Sequence, residues 1–187
     1  MKTSPTRCLT RRYVIALAVV ALFVAAGQGV IQLHLVSQQR DSRRINLAGR
    51  QRMLSQRIAK SSLAATATKD PAELQRYVHQ LEEDVAVWQA AHVSLWRGDN
   101  SDVVKGLFSR LAPRYAAIDT AALGLARAGA RPDARASDLV PFVETVLANE
   151  GGYVKTMDDI VLAYEMEASG RVAALRRLEF ILMGGTF

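Results

Sequence analysis

Cysteine is almost missing from this chain: Cys8 stands alone in 187 residues. An intramolecular disulfide is excluded, and stability must come from packing. With 3 histidines and no Cys/His cluster at zinc spacing, a structural metal site is excluded as well. Glycine (12) and proline (5) are scarce enough to rule out collagen-like, Pro-rich and long low-complexity readings. No run sustains period-two alternation, so no sheet is expected. Nucleophile and base pairings, phosphate-binding loops and lid signals are also lacking, and Asp158, Asp159, Glu165 and Glu167 supply carboxylates without a partner chemistry. Neither catalysis nor a cofactor is expected.

Charge is present but unevenly placed. The formal net charge is +6. About +4 lies before Tyr13, in Lys2, Arg7, Arg11 and Arg12, and about +6 lies between Arg40 and Lys60, where Asp41 is the lone anion. From Ser61 onward the chain carries about −4. The basic surplus therefore flanks one hydrophobic segment, which suits a membrane border or an anion site and disfavours a nucleic-acid-binding face.

That segment is uncharged from Tyr13 to Gln39, and Tyr13 to Ala26 is apolar throughout. Its length suits a bilayer span of roughly 20 residues. A cleaved signal peptide ending near Ala25-Ala26-Gly27 is the competing reading, although the apolar character continues through Val30, Ile31, Leu33, Leu35 and Val36. The N-terminal cations favour an inside N-terminus. The expected organisation is a cytoplasmic stretch over 1–12, a transmembrane helix over 13–36, an extracytoplasmic helical domain over 37–178, and the opening of a second span over 179–187.

The remainder reads as amphipathic helices separated by polar breaks. One runs from about Gln38 to Thr68; Asp70 caps a second, with Pro71 at its first position, that reaches Trp96. Arg97-Gly98-Asp99-Asn100 ends it, and a third occupies about Asp102 to Arg127 with Pro113 inside. Ala128 to Ser137 reads as a loop, and a fourth helix starts near Asp138 with apolar positions recurring at three and four. These helices bury their apolar faces most economically as an all-α, antiparallel four-helix bundle extending from the membrane helix. Trp88, His92 and Trp96 share one face and read as core, while His79 with Glu82 and Glu83 reads as surface.

The segment from Arg43 to Leu63 carries the sharpest signal. Projected at about 100° per residue, Arg43, Arg50 and Arg57 share one face, and Arg52 lies on roughly the opposite one with Ile45, Ala48, Ser55, Ala59 and Leu63. A second apolar arc holds Leu47, Leu54 and Ile58. Two arcs suggest two interfaces, one within the bundle and one with a partner subunit. Ala48, Gly49 and Ser55 allow close helix approach, and the guanidinium of Arg52 offers five donors that match a planar oxyanion. The alternative is that Arg52 snorkels to the rim or pairs with a carboxylate, such as one from the fourth helix.

The run Ile45-Asn46-Leu47-Ala48-Gly49-Arg50-Gln51-Arg52-Met53-Leu54-Ser55-Gln56-Arg57 resembles the signature box of the PilJ-type sensor domain. This is the N-terminal domain of type IV pilus methyl-accepting chemotaxis transducers, similar to the ectodomains of the NarX and NarQ nitrate sensor kinases. Weaker similarity extends to Leu95-Trp96-Arg97-Gly98, to Asn149-Glu150-Gly151-Gly152-Tyr153 and to Met157-Asp158-Asp159-Ile160-Val161. The resemblance implies a periplasmic four-helix bundle anchored in the bacterial inner membrane, a homodimer, and an arginine near the dimer axis that binds nitrate. By alignment of the box that arginine is Arg52, with Ala48, Gly49 and Ser55 around it. A downstream signalling module would receive the signal; a ligand-free dimerisation or protein-binding module of the cell envelope is the other class that fits. If the apolar segment is an uncleaved anchor, N-terminal sequencing of membrane-derived protein returns the region near Met1; a mature start near Gln28 would contradict it.

Overall fold

The computed structural model describes the backbone over 5–184, and side chains over 10–174 and at 176 and 177. The expected cytoplasmic start and second span fall partly outside the described residues, at 1–4 and 185–187. Four helices follow in order: α1 Pro5–Ala67, α2 Pro71–Trp96, α3 Asp102–Gly129 and α4 Ala136–Gly184. No strand occurs among the described residues. The chain divides into two compact units, Met1–Ser42 and Arg43–Phe187.

The first unit holds the N-terminal part of α1. It contains the one stretch of the described residues that is long and apolar enough to cross a membrane. Leu22 and Phe23 are 71% and 74% exposed, and none of the apolar stretch is buried among the described residues.

The second unit is an all-α bundle of antiparallel neighbours. Pairings that fall in one helix as they rise in the next establish the directions. On α1 and α2, Gln51 meets Trp88 and Arg57 meets Asp84. On α2 and α3, Gln75 meets Gly129 and Gln89 meets Asp119. Between α3 and α4, Ser101 at the N-cap of α3 meets Glu167 while Gly124 receives Phe142. A Cβ at Gly124 would lie 2.5 Å from the Phe142 ring, so glycine there lets α3 and α4 come close. Gln51 with Tyr153, and Arg52 with Asp158, close the circuit between α1 and α4.

Local chemistry accounts for the helix ends. Asp70 accepts the Ala72 N–H at 2.9 Å and Pro71 occupies the first turn of α2, satisfying donors that a helix start leaves open. Ser101 accepts the Val104 N–H at the start of α3. Asn100 donates to the Leu95 carbonyl at 2.8 Å and accepts from the Tyr164 hydroxyl at 2.8 Å, which ties the α2–α3 turn to α4. The loop before α4 is shorter than the sequence suggests, because α3 continues to Gly129 and α4 already begins at Ala136. Residues of small, helix-tolerant type at Ala128 and Ala136 provide no strong stop.

The core is built from Leu54, Ile58, Leu81, Trp88, Phe108, Leu111, Ile118, Leu125, Leu139, Tyr153, Met157 and Ile160, all below 2% exposed. Burying each such side chain contributes roughly 1.5–3 kcal/mol. A polar contact is set within this apolar interior. Gln51 is fully buried, donates from Nε2 to the Trp88 carbonyl at 2.9 Å, and accepts the Tyr153 hydroxyl at Oε1 at 2.7 Å. Three helices are joined by one side chain. Gln51→Leu is expected to lower stability by about 1–3 kcal/mol, because it leaves the buried Tyr153 hydroxyl without its acceptor. Adding Tyr153→Phe should recover part of that loss, as chemical denaturation of the wild type and both variants would show.

Candidate functional site

The four residues singled out around the anion reading occupy consecutive turns of α1 in the second unit, but they face different ways. Ala48 and Ser55 are fully buried. The Ser55 hydroxyl donates to the Arg52 carbonyl at 2.8 Å, so it is satisfied within its own helix. Gly49 is half-buried, and a Cβ built on it would lie 3.6 Å from Arg52 Nη2. Arg52 itself sits at the margin between α1 and α4, where Nη1 donates to Asp158 Oδ1.

The two side chains are 41% and 49% exposed. An ion pair this open to water is worth only about 0.2–1 kcal/mol. It uses a fraction of the five donors that a guanidinium carries. Chemically, the pair is a planar cation held in place by a carboxylate that another anion could replace at small cost.

The rotation of α1 explains this location. Its buried face runs Ala48, Gln51, Leu54, Ser55, Ile58, Ala59, Ser62 and Ala65, a single face that takes members from both arcs read in the sequence. Met53 and Leu63 are left outside it, 47% and 52% exposed. Arg50 is exposed, whereas Arg57 reaches inward to Asp84 Oδ1 at 2.8 Å. Asp84 is buried at 4% exposure, with Oδ2 lacking a hydrogen-bond partner. Burial pushes its carboxyl above the usual range, and the Arg57 guanidinium pulls it back in part. Sequence reasoning missed this pair. Asp84 follows Glu82 and Glu83, and a run of three acids looks like a solvated face.

The aromatic face of α2 is core only over part of its length. Trp88 is fully buried and lies 4.5 Å from Tyr115 and 5.2 Å from Tyr153. His92 stacks on Tyr115 at 3.7 Å. Burial lowers the His92 pKa to about 4, with the nearby Asp119 opposing, so the imidazole is neutral at pH 7. Burial likewise pushes the Tyr115 hydroxyl up to about 12. Trp96, expected in the core, is instead 51% exposed and touches the Phe108 ring edge-on. Each step of four residues turns about 40° past a full circle, so Trp96 has rotated off the face that buries Trp88, and Leu95 takes the interior position at 2% exposure. His79 pairs with Glu83 at 3.4 Å on the surface. No group of three or more metal-ligating side chains gathers among the described residues.

The family described as type IV pili methyl-accepting chemotaxis transducer N-term, PilJ, has a model that matches residues 33–136. The match takes in α2, α3 and the part of α1 that carries Arg52, and stops at the first residue of α4. No curated protein and no solved structure matches the chain.

Proposed function

The chain belongs to the PilJ family of type IV pili chemotaxis transducer N-terminal domains, a sensory family, and from that premise we propose that it senses a small oxyanion, nitrate first among the candidates, at Arg52. One observation carries the reading: the Arg52–Asp158 pair is exposed, weak and placed at a seam between two helices. An oxyanion competes with Asp158 for the same donors. Removing the carboxylate from the guanidinium frees α4 from α1 at that point, which is a differential contact of the kind that ligand-driven switching requires.

The proposal extends to a homodimer in which α1 of each subunit lies near a twofold axis. Support comes from Met53 and Leu63, exposed apolar side chains on the same helix as Arg52. Two guanidinium groups about 6 Å apart repel by roughly 3 kcal/mol at an effective dielectric near 20. Within each subunit Asp158 offsets that charge; an anion between the subunits does so while drawing them together. Ligand binding and dimer geometry are then reciprocally coupled. The apolar stretch of α1 anchors the domain in the inner membrane, with the bundle in the periplasm and a signalling module downstream. A ligand-free envelope module that uses the Met53 and Leu63 face for dimerisation alone is the second reading.

Calorimetry on the full chain in nanodiscs tests the proposal. Nitrate should bind once per two chains. Arg52→Ala should abolish binding, Asp158→Asn should tighten it by removing the competing charge, and Arg50→Ala should leave it unchanged. Equal affinity in wild type and Arg52→Ala sinks the anion reading, and absence of any oxyanion binding leaves the envelope module.

A further inference from the structure

A second feature of the bundle lies at its other end and does not involve Arg52. Where the α1–α2 and α3–α4 turns meet, the second unit holds a cleft of about 340 Å³. This falls within the size range of small-molecule sites, roughly 300–1,000 Å³.

The lining combines charge with an apolar floor. Lys69, Arg131 and Arg135 surround it, with Leu74, Pro132 and Ala134 between them. Asp70 is the one acidic residue in the lining, and its carboxylate is engaged by the Ala72 N–H at the start of α2. The Lys69 and Arg135 side chains make no hydrogen bond or ion pair among the described residues. Arg131 is held in position: Nε donates to the Ala128 carbonyl at 3.3 Å and Nη2 to Asp138 Oδ2 at 3.2 Å.

The walls are built before any ligand arrives. Gln75 Nε2 donates to the Gly129 carbonyl at 2.9 Å, joining α2 to the end of α3. Gly129 permits that approach, since a Cβ there would sit 2.6 Å from Val78 Cγ2. The N-termini of α2 and α4 lie at this end with the C-termini of α1 and α3, so the helix dipoles oppose one another and the positive charge of the cleft comes from its side chains.

We propose that this cleft is a second anion site that binds a compact organic carboxylate. The carboxylate meets Lys69 and Arg135, and the apolar body of the ligand lies on Leu74 and Ala134. Lys69 follows the end of α1 by two residues and Arg135 precedes α4 by one. A ligand spanning them clamps the end of α1 to the turn that leads into α4, the same two helices that Arg52 and Asp158 join. Occupancy at this cleft therefore stiffens the pair of helices that carries the proposed oxyanion site, while its existence is independent of that site.

Fluorine NMR on the full chain in nanodiscs tests this with 4-(trifluoromethyl)benzoate as the probe and the neutral 4-(trifluoromethyl)benzamide as its control. The benzoate signal should broaden and shift on titration, and the amide signal should not. Lys69→Gln/Arg135→Gln, at two exposed positions outside the core, should weaken benzoate binding by about tenfold or more, which is 1.4 kcal/mol or more. Ala134→Trp keeps every charge but fills the cleft, and should block binding as well. Arg52→Ala should leave it intact, which separates failure here from failure of the nitrate reading. No benzoate binding, equal binding of the amide, or full binding by Ala134→Trp overturns the proposal.

Discussion

One buried amide sets the rotation of α1 in the bundle. Gln51 is fully enclosed, and its side chain is satisfied only when Nε2 reaches the Trp88 carbonyl on α2 and Oε1 receives the Tyr153 hydroxyl on α4. Apolar contacts tolerate small turns of a helix about its axis; a two-sided hydrogen bond in a low-dielectric interior does not, because each lost partner leaves a desolvated polar group. Burial raises the Tyr153 pKa further above the usual phenol range, so the hydroxyl remains a donor to Gln51 over the working pH range.

The position of Arg52 follows from that rotation. As the next residue in the helix, it is turned about 100° from Gln51, out of the core and onto the α1–α4 margin, where Asp158 waits one turn and a fraction beyond Tyr153. The same rotation directs Arg57 toward Asp84 and leaves Met53 and Leu63 outside. The two ion pairs differ in kind. Arg57 serves a carboxylate that is nearly inaccessible and loses much if left unpaired; Arg52 serves one that water already reaches, so the partner can be exchanged. On the proposed reading, structure and sensing are divided between arginines five residues apart on one helix.

Much of the fold was legible in the sequence where local chemistry decides. Asp70 with Pro71 and the Arg97-Gly98 break mark both ends of α2 as observed, and the three-and-four periodicity of the later helices foretells a bundle without strands. The helix boundaries slipped only around 128–137, where small residues give neither a stop nor a strong cap. At the candidate site the sequence singled out Arg52, and its surroundings were obscure. An apolar projection assigns α1 two arcs, because it treats Gln51 as a solvent residue; its burial depends on tertiary partners 37 and 102 positions away in sequence. Asp84 hid among neighbouring acids for the same reason, and the cleft near Lys69 and Arg135 depends on two turns that only folding brings together. The carboxylate alternative for Arg52 was open from the sequence, and Asp158 is the member of α4 that fills it.

On the proposed reading, Arg52 exchanges Asp158 for an anion. A double-mutant cycle over Arg52→Ala, Asp158→Ala and the pair, with unfolding stability measured in sodium chloride and in sodium nitrate at equal ionic strength, tests it most directly. Without nitrate the two residues should couple by about 0.2–1 kcal/mol, the range for an exposed pair, and saturating nitrate should bring that coupling toward zero. A coupling that nitrate leaves unchanged would contradict the account.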